Sequence, residues 1–374
     1  MKKHLLVDCN SIVFRRGMTH LPGIGRTTMD VLLAIQAFGS LPFDITMLTR
    51  TIRGELPEAL FSLRRRNIPL PSGRFFDWTI ERFPLLEGIA GYDLLHIPHN
   101  YSPVHDPGKT VVTMHDALFF SYPEQFLGHD FARIHYPRLA RSCRAIITCS
   151  ESSKADIVHY MGIDPEKITV APWGVNRDVF FPLDKTEAKK TLQAALGINR
   201  PFYVAVSCDI GRKNTLAVMR AFRLALKQHV GHDLLLVWAE PPADYMQEFA
   251  SEINSGRIRF LAHVDDSVLR QLYSASTLSW FPSKYEGFGL PVLESMACGT
   301  PVVTCRNSSL SEVGGEAALY VDPDDIDAMS DLMISFDRGF SSYDNLVERS
   351  LAHASVFTWE RTAKAYIDFY LCNM

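Results

Sequence analysis

The chain has 374 residues, 47% apolar and 21% charged, with a formal net charge of −4. That length exceeds one ordinary core and, at roughly 100–200 residues per domain, predicts two domains. No stretch approaches the ~20 apolar residues of a membrane span, seven scattered cysteines without a CxxC pair favour reduced thiols in cytosol over a disulfide framework, and no basic run interleaved with aromatics points to nucleic acid.

Short runs rich in Val, Ile and Leu alternate with helical patterns. The opening run, Leu5–Cys9, reads as a first strand rather than a signal peptide, because Asp8 breaks it. It is followed by Ile45–Thr49, Leu94–Pro98, Val111–Met114, Ala145–Cys149 and Ile168–Ala171. A second series comprises Phe202–Ser207, Leu234–Trp238, Ile258–Val264, Leu278–Pro282, Pro301–Cys305 and Ala318–Val321. The runs are continuous, as strands buried on both faces should be. Helical segments between them, such as Leu216–Gln228, predict an α/β fold with two doubly wound parallel sheets. Pro and Gly punctuation sets the expected boundaries: a first domain at 1–171, a linker at 172–184, a second domain at 185–356 and a C-terminal helix at 357–374. Residues 1–170 carry 19 Lys and Arg against 17 Asp and Glu, and the remainder 19 against 25. A mildly basic first half would suit an anionic acceptor or a membrane surface, although so small an asymmetry also arises by chance.

Ligands of open parallel sheets sit outside the carboxyl ends of the strands, so residues there are the candidates. After Leu278–Pro282 comes Glu286-Gly287-Phe288-Gly289-Leu290-Pro291, with Glu294 three residues on. Pro291 suits the first helical position, the glycines allow close approach to a ligand, and the helix start favours anions and polar oxygens. Glu294, expected in the first helical turn, matches a ribose diol, and Glu286 could accept from sugar hydroxyls. Arg212-Lys213-Asn214-Thr215 follows Phe202–Ser207, with Asn214 or Thr215 as the helix cap. Two cations before a helix start are unfavourable unless an anion joins them, and a diphosphate would do so. His115 sits where a first-domain strand should end, and Pro22-Gly23-Ile24-Gly25-Arg26 makes a glycine-rich turn before a helix expected near Met29. Each stretch also has a plain structural reading, as a turn, a packed histidine or a solvated basic loop.

Together these stretches resemble the retaining family 4 glycosyltransferases with the GT-B fold, over nearly the whole chain. The most specific element is the pair Glu286 and Glu294 with Gly-Phe-Gly-Leu-Pro between them; His115-Asp116, Arg212-Lys213-Asn214 and Phe357-Thr358-Trp359-Glu360-Arg361 support it. The resemblance implies two Rossmann-like domains facing across a cleft and a C-terminal helix returning to the first. Arg212, Lys213 and Gly25 would meet the donor diphosphate, and Glu294 the ribose. Glu286, Gly287, Phe288, Gly289, Leu290 and His115 would hold the transferred sugar, and backbone near His263 and Val264 the base. The catalytic set would be His115, Glu286, Arg212 and Lys213, with Arg26, His99 and Asn100 toward the acceptor. Many relatives carry a further Arg where this chain has Ser207 or Cys208, and Trp173 stands where Asn is common.

Within that family the chain looks closest to bacterial enzymes of surface polysaccharide. The expected reaction moves a hexose from a nucleotide-diphosphate sugar to a saccharide or lipid-linked saccharide, with GDP-mannose first, then UDP-glucose or dTDP-rhamnose. No cofactor and no essential metal is expected: Asp322-Pro323-Asp324 reads as a solvated acidic turn. Leu60–Arg66 mixes apolar and basic residues, either a membrane-docking segment at the inner face or an ordinary helix end. Three rival classes remain. A Rossmann dehydrogenase lacks its third glycine here, since Gly23-Ile24-Gly25 continues as Arg-Thr-Thr. A nucleotide-sugar epimerase would need no acceptor. A binding protein without catalysis would not need Glu286, Glu294, Arg212, Lys213 and His115 together.

Overall fold

The computed structural model describes residues 2–14, 21–51, 54–60, 62–69, 73–125, 128–206, 211–262 and 264–374. The chain divides into two compact units, residues 1–174 with 359–374, and residues 175–358.

The first unit is built on a parallel sheet of β1 (Lys3–Asp8), β2 (Phe43–Thr49), β3 (Arg64–Asn67), β4 (Leu94–Ile97), β5 (Thr110–Thr113), β6 (Ala145–Thr148) and β7 (Ile168–Val170). Their order is β3-β2-β1-β4-β5-β6-β7. The order reverses between β1 and β4, which pair from Leu5 with Leu94 to Val7 with His96. β4, β5 and β6 are buried at every position, which explains their unbroken apolar runs. On one face, helix Gly23–Ala37 and the C-terminal helix Trp359–Asn373 cover the sheet, with Val31, Leu32, Ile35, Tyr366 and Tyr370 in that core. On the other, helices His129–Ser142 and Glu151–Met161 supply Leu139, Ala140, Ile157 and Met161. Ser150 caps the latter helix by accepting from the Ser153 amide, and Gly162 ends it at φ +65°.

The second unit repeats the plan with β8 (Phe202–Val206), β9 (Asp233–Val237), β10 (Ile258–Leu261), β11 (Leu278–Phe281), β12 (Val302–Thr304) and β13 (Leu319–Tyr320). Here the order is β10-β9-β8-β11-β12-β13, reversing between β8 and β11. Helix Thr215–Leu226 packs Val218, Met219 and Phe222 against Tyr203, Leu234 and Trp280.

Four local expectations are corrected. Leu60 closes a short 3-10 helix, Glu58–Leu60, but the arginines do not belong to a helix end: Arg64–Asn67 is an exposed edge strand paired with β2, whose arginines deter pairing with another chain. The helix expected near Met29 begins at Gly23, directly after Pro22, so the glycine-rich stretch is its first turn. Helix Leu290–Ala297 puts Pro291 second rather than first, and Glu294 fifth, past the first turn. Asn214 stands at the cap position of its helix, but its side chain does not cap; its Nδ2 donates to the Pro323 carbonyl at 2.6 Å.

Candidate functional site

Chain reversal in an open parallel sheet leaves a crevice beyond the strand ends, where no connection covers it. Each unit has a buried charged cluster at that place.

In the second unit the cluster joins the segment after β8 to the segment after β11. The Glu286 Oε1 lies 3.0 Å from Arg212 Nη1 and 2.7 Å from Lys213 Nζ, and accepts from Ser283 Oγ at 2.7 Å. The side chains are only 11%, 12% and 14% exposed for Glu286, Arg212 and Lys213, so these are interior charges. Burial alone would raise the Glu286 carboxyl, but Lys213 and Arg212 outweigh it and hold it below the usual carboxylate range. Lys213 Nζ also sits 4.7 Å above the Phe281 ring, and Arg212 Nη1 donates to the Tyr285 carbonyl.

The turn itself is braced from the segment after β12. Ser308 Oγ accepts from the Glu286 amide at 3.0 Å, and Ser309 Oγ lies within 2.8 Å of both the Glu286 and Phe288 carbonyls. Gly289 adopts φ +109°, a conformation that favours glycine, and a Cβ there would lie 2.9 Å from Leu310 Cδ2, the movable end of that side chain. Phe288 is buried, 6.3 Å from Phe357 between ring centres, which leaves only its backbone for a ligand. Glu294 is buried, Gly287 and Leu290 are half-buried, and Val264 is half-buried just before helix Asp266–Ala275. His263 lies outside the described residues, as do Ser207 and Cys208. Asp322 Oδ1 accepts from the Asp324 amide and Asp324 pairs with Lys284, the contacts of an acidic turn.

In the first unit the cluster gathers the ends of β1, β2 and β4. Asp8 Oδ2 lies 3.0 Å from Arg50 Nη2, accepts from Ser102 Oγ at 2.9 Å and is 3.9 Å from His99 Nε2. Its Oδ1 accepts from the Asn10 amide at 3.1 Å. Burial pushes the Asp8 carboxyl up, and Arg50, His99, Asn10 and Ser102 together bring it below its ordinary value.

His115 follows β5. Its Nε2 is 2.9 Å from the Pro98 carbonyl, which can only accept, so that nitrogen carries the proton. Burial lowers its pKa to about 4, leaving the ring neutral with an acceptor lone pair on Nδ1, a buried atom without a hydrogen-bond partner among the described residues. The Asn100 Oδ1 accepts from the His115 amide, so Asn100 braces this histidine from its own unit. His115 lines a cavity of about 10 Å³ with Pro98, Thr113, Trp173 and Tyr366. Gly25 is buried in the first turn of its helix against the Ser11 carbonyl, where any Cβ would collide, and Arg26 is half-buried beside it.

The structure thus joins Arg212, Lys213 and Glu286 directly, places His99 on Asp8, and sets Asn100 behind His115. Asp8, Arg50, Ser102, Ser283, Ser308 and Ser309 were not among the expected residues. Asp8 and Arg50 carried a usable signal, since each charge closes an apolar run at a strand's carboxyl end.

Residues 202–336 match the family described as glycosyl transferases group 1, and residues 23–179 match glycosyltransferase family 4. An O-antigen chain mannosyltransferase B of Escherichia coli is 30% identical over 287 residues, 74% of each chain. An MMP alpha-(1->4)-mannosyltransferase of Mycolicibacterium hassiacum is 28% identical over 239 residues, 62% of this chain and 55% of that relative. Among solved structures, Anabaena HepE in complex with UDP and glucose has 18% identity and a TM-score of 0.74, with all of both chains covered.

Proposed function

The chain belongs to the family 4 glycosyltransferases, enzymes of GT-B fold, and we propose that it transfers mannose from GDP-mannose, with retained anomeric configuration, to a saccharide or lipid-linked saccharide of a cell-surface polysaccharide. The buried pair Arg212 and Lys213 at the reversal between β8 and β11 carries this reading. Two interior cations that meet at one point suit the diphosphate of a nucleotide sugar, which a guanidinium can engage bidentately and an ammonium as a point charge. The mannosyl donor is favoured by two relatives whose names state mannosyl transfer.

In the reaction the bond from the sugar's anomeric carbon to the β-phosphate oxygen breaks, and a bond from that carbon to the acceptor oxygen forms. The acceptor proton passes to the departing phosphate oxygen on the same face. Arg212 and Lys213 stabilise the charge that builds on that phosphate. Glu294 takes the ribose diol, and the backbone around Gly287–Leu290 the sugar. The neutral His115 accepts from a hydroxyl through Nδ1. The exposed Phe75, Trp78 and Phe83, near the end of the arginine-bearing segment in sequence, form a face for a membrane surface.

A calorimetric panel of GDP-mannose, UDP-glucose, dTDP-rhamnose and ADP-glucose tests the donor. GDP-mannose should bind most tightly, and NMR of the product should show the donor's anomeric configuration. Tightest binding of another conjugate replaces mannose as the donor, an inverted product removes the retaining mechanism, and activity abolished by a chelator and restored by Mg²⁺ or Mn²⁺ would establish an essential metal.

A further inference from the structure

We propose that Glu286 is the resident counter-ion of the diphosphate site, exchanged for phosphate when donor binds, so that the site discriminates against a nucleoside diphosphate without its sugar. This rests on the reading of Arg212 and Lys213 as the diphosphate grip.

Both cations meet the same Glu286 oxygen, at 3.0 and 2.7 Å, in an interior setting. Interior cations need a partner, and a buried pair stripped of one member is strongly destabilised. Glu286 supplies that partner in the ligand-free protein. A diphosphate brings more negative charge than one carboxylate and can engage a guanidinium bidentately, so it takes over both cations. The carboxylate cannot follow them far, because the Glu286 amide is tied to Ser308 and its carbonyl lies against Ser309. Ser283 Oγ then remains as its nearby donor.

A buried carboxylate that has lost two cations needs new hydrogen-bond donors. The hydroxyls of the transferred sugar can supply them, and a nucleoside diphosphate alone cannot. Phosphate and sugar binding are therefore coupled through one side chain. After transfer the same carboxylate competes with the product's diphosphate for Arg212 and Lys213, which favours product release.

Titration calorimetry of wild-type protein and Glu286→Gln with GDP, UDP, ADP and their sugar conjugates tests the exchange. Whichever diphosphate the wild type binds, Glu286→Gln should bind roughly tenfold more tightly, a single like charge having been removed from its side. The affinity for the matching sugar conjugate should not rise, so the gap between the two narrows. Glu286→Ala carries the same expectation and serves where Glu286→Gln does not fold. Equal or weaker diphosphate binding by a folded variant overturns the exchange while leaving the donor reading intact. A wild-type protein that binds neither diphosphates nor conjugates overturns the donor reading, and the exchange with it.

Discussion

An ionised side chain in a protein interior is tolerated only with its partner in place, and the two clusters meet that condition differently. Asp8 Oδ2 takes the Arg50 guanidinium and the Ser102 hydroxyl, with His99 Nε2 3.9 Å away, and ends charge-balanced with Arg50. Glu286 takes two cations on one oxygen, so two positive groups meet at a single anchor. Asp8→Ala should therefore behave as a stability variant. Leaving Arg50 buried without its carboxylate costs about 3–5 kcal/mol, read as a lower urea midpoint; a loss well under 1 kcal/mol would mean the cluster does not hold the strand ends together. Lys213→Ala should behave as an activity variant. Removing one donor to a developing anion lowers turnover by roughly 10²–10³, and near-parental turnover would remove Lys213 from the diphosphate.

Among the elements, helix Trp359–Asn373 shows how a late segment completes an early core. Tyr370 is fully buried beside Phe43 and its hydroxyl lies 2.8 Å from His96 Nδ1, while His96 Nε2 lies 2.8 Å from Thr113 Oγ1. Thr362 Oγ1 donates to the Pro172 carbonyl, so the helix start is fastened too. His96 titrates at about 3 and His115 at about 4 instead of 6.5, with burial as the largest cause and neighbouring histidines adding to it. Both native pKa values are depressed, so the unfolded chain binds protons that the native protein refuses between these values and 6.5. The stability they contribute is whole above 6.5, falls as pH drops below it, and is fully lost by about 4 for His115 and about 3 for His96. The urea midpoint should drop between pH 7 and 5, and His96→Asn should flatten that slope; identical slopes would rule out His96 as the source. The strands were the legible elements, because each is a continuous apolar run of its own. β3 was not, since Arg64-Arg65-Arg66-Asn67 has no apolar position to mark it and is made a strand by pairing with β2. The candidate site was legible where a charge abuts a turn, as at Arg212, Lys213 and Glu286. Their direct pairing was not legible, because it depends on β8 lying beside β11, which are separated in the chain by two other strands.

For the molecule as a whole, the question is where an enzyme with no membrane-spanning helix among its described residues would meet the lipid-linked acceptor proposed for it. Phe75, Trp78 and Phe83 are 69%, 53% and 48% exposed, an apolar outlay that a purely aqueous surface does not reward. Trp78 lies 6.2 Å from each of the two phenylalanines, so the three rings form one patch. Tryptophan and phenylalanine suit the boundary between headgroups and acyl chains, and exposed arginines add attraction to anionic lipid. β3 offers three of them, Arg64, Arg65 and Arg66, although their edge position already has a structural reason. The two contributions separate by experiment. Flotation with phosphatidylglycerol vesicles should fall for Phe75→Ser with Trp78→Ser at any salt concentration, because ring insertion is not screened. Arg64, Arg65 and Arg66→Glu should reduce flotation at low salt and much less at high salt, where charges a Debye length apart no longer attract. If only the arginine variant loses binding, the aromatic patch is not the membrane face. Parental flotation by both variants leaves neither feature as a lipid contact, and the acceptor must then reach the enzyme without the help of this surface.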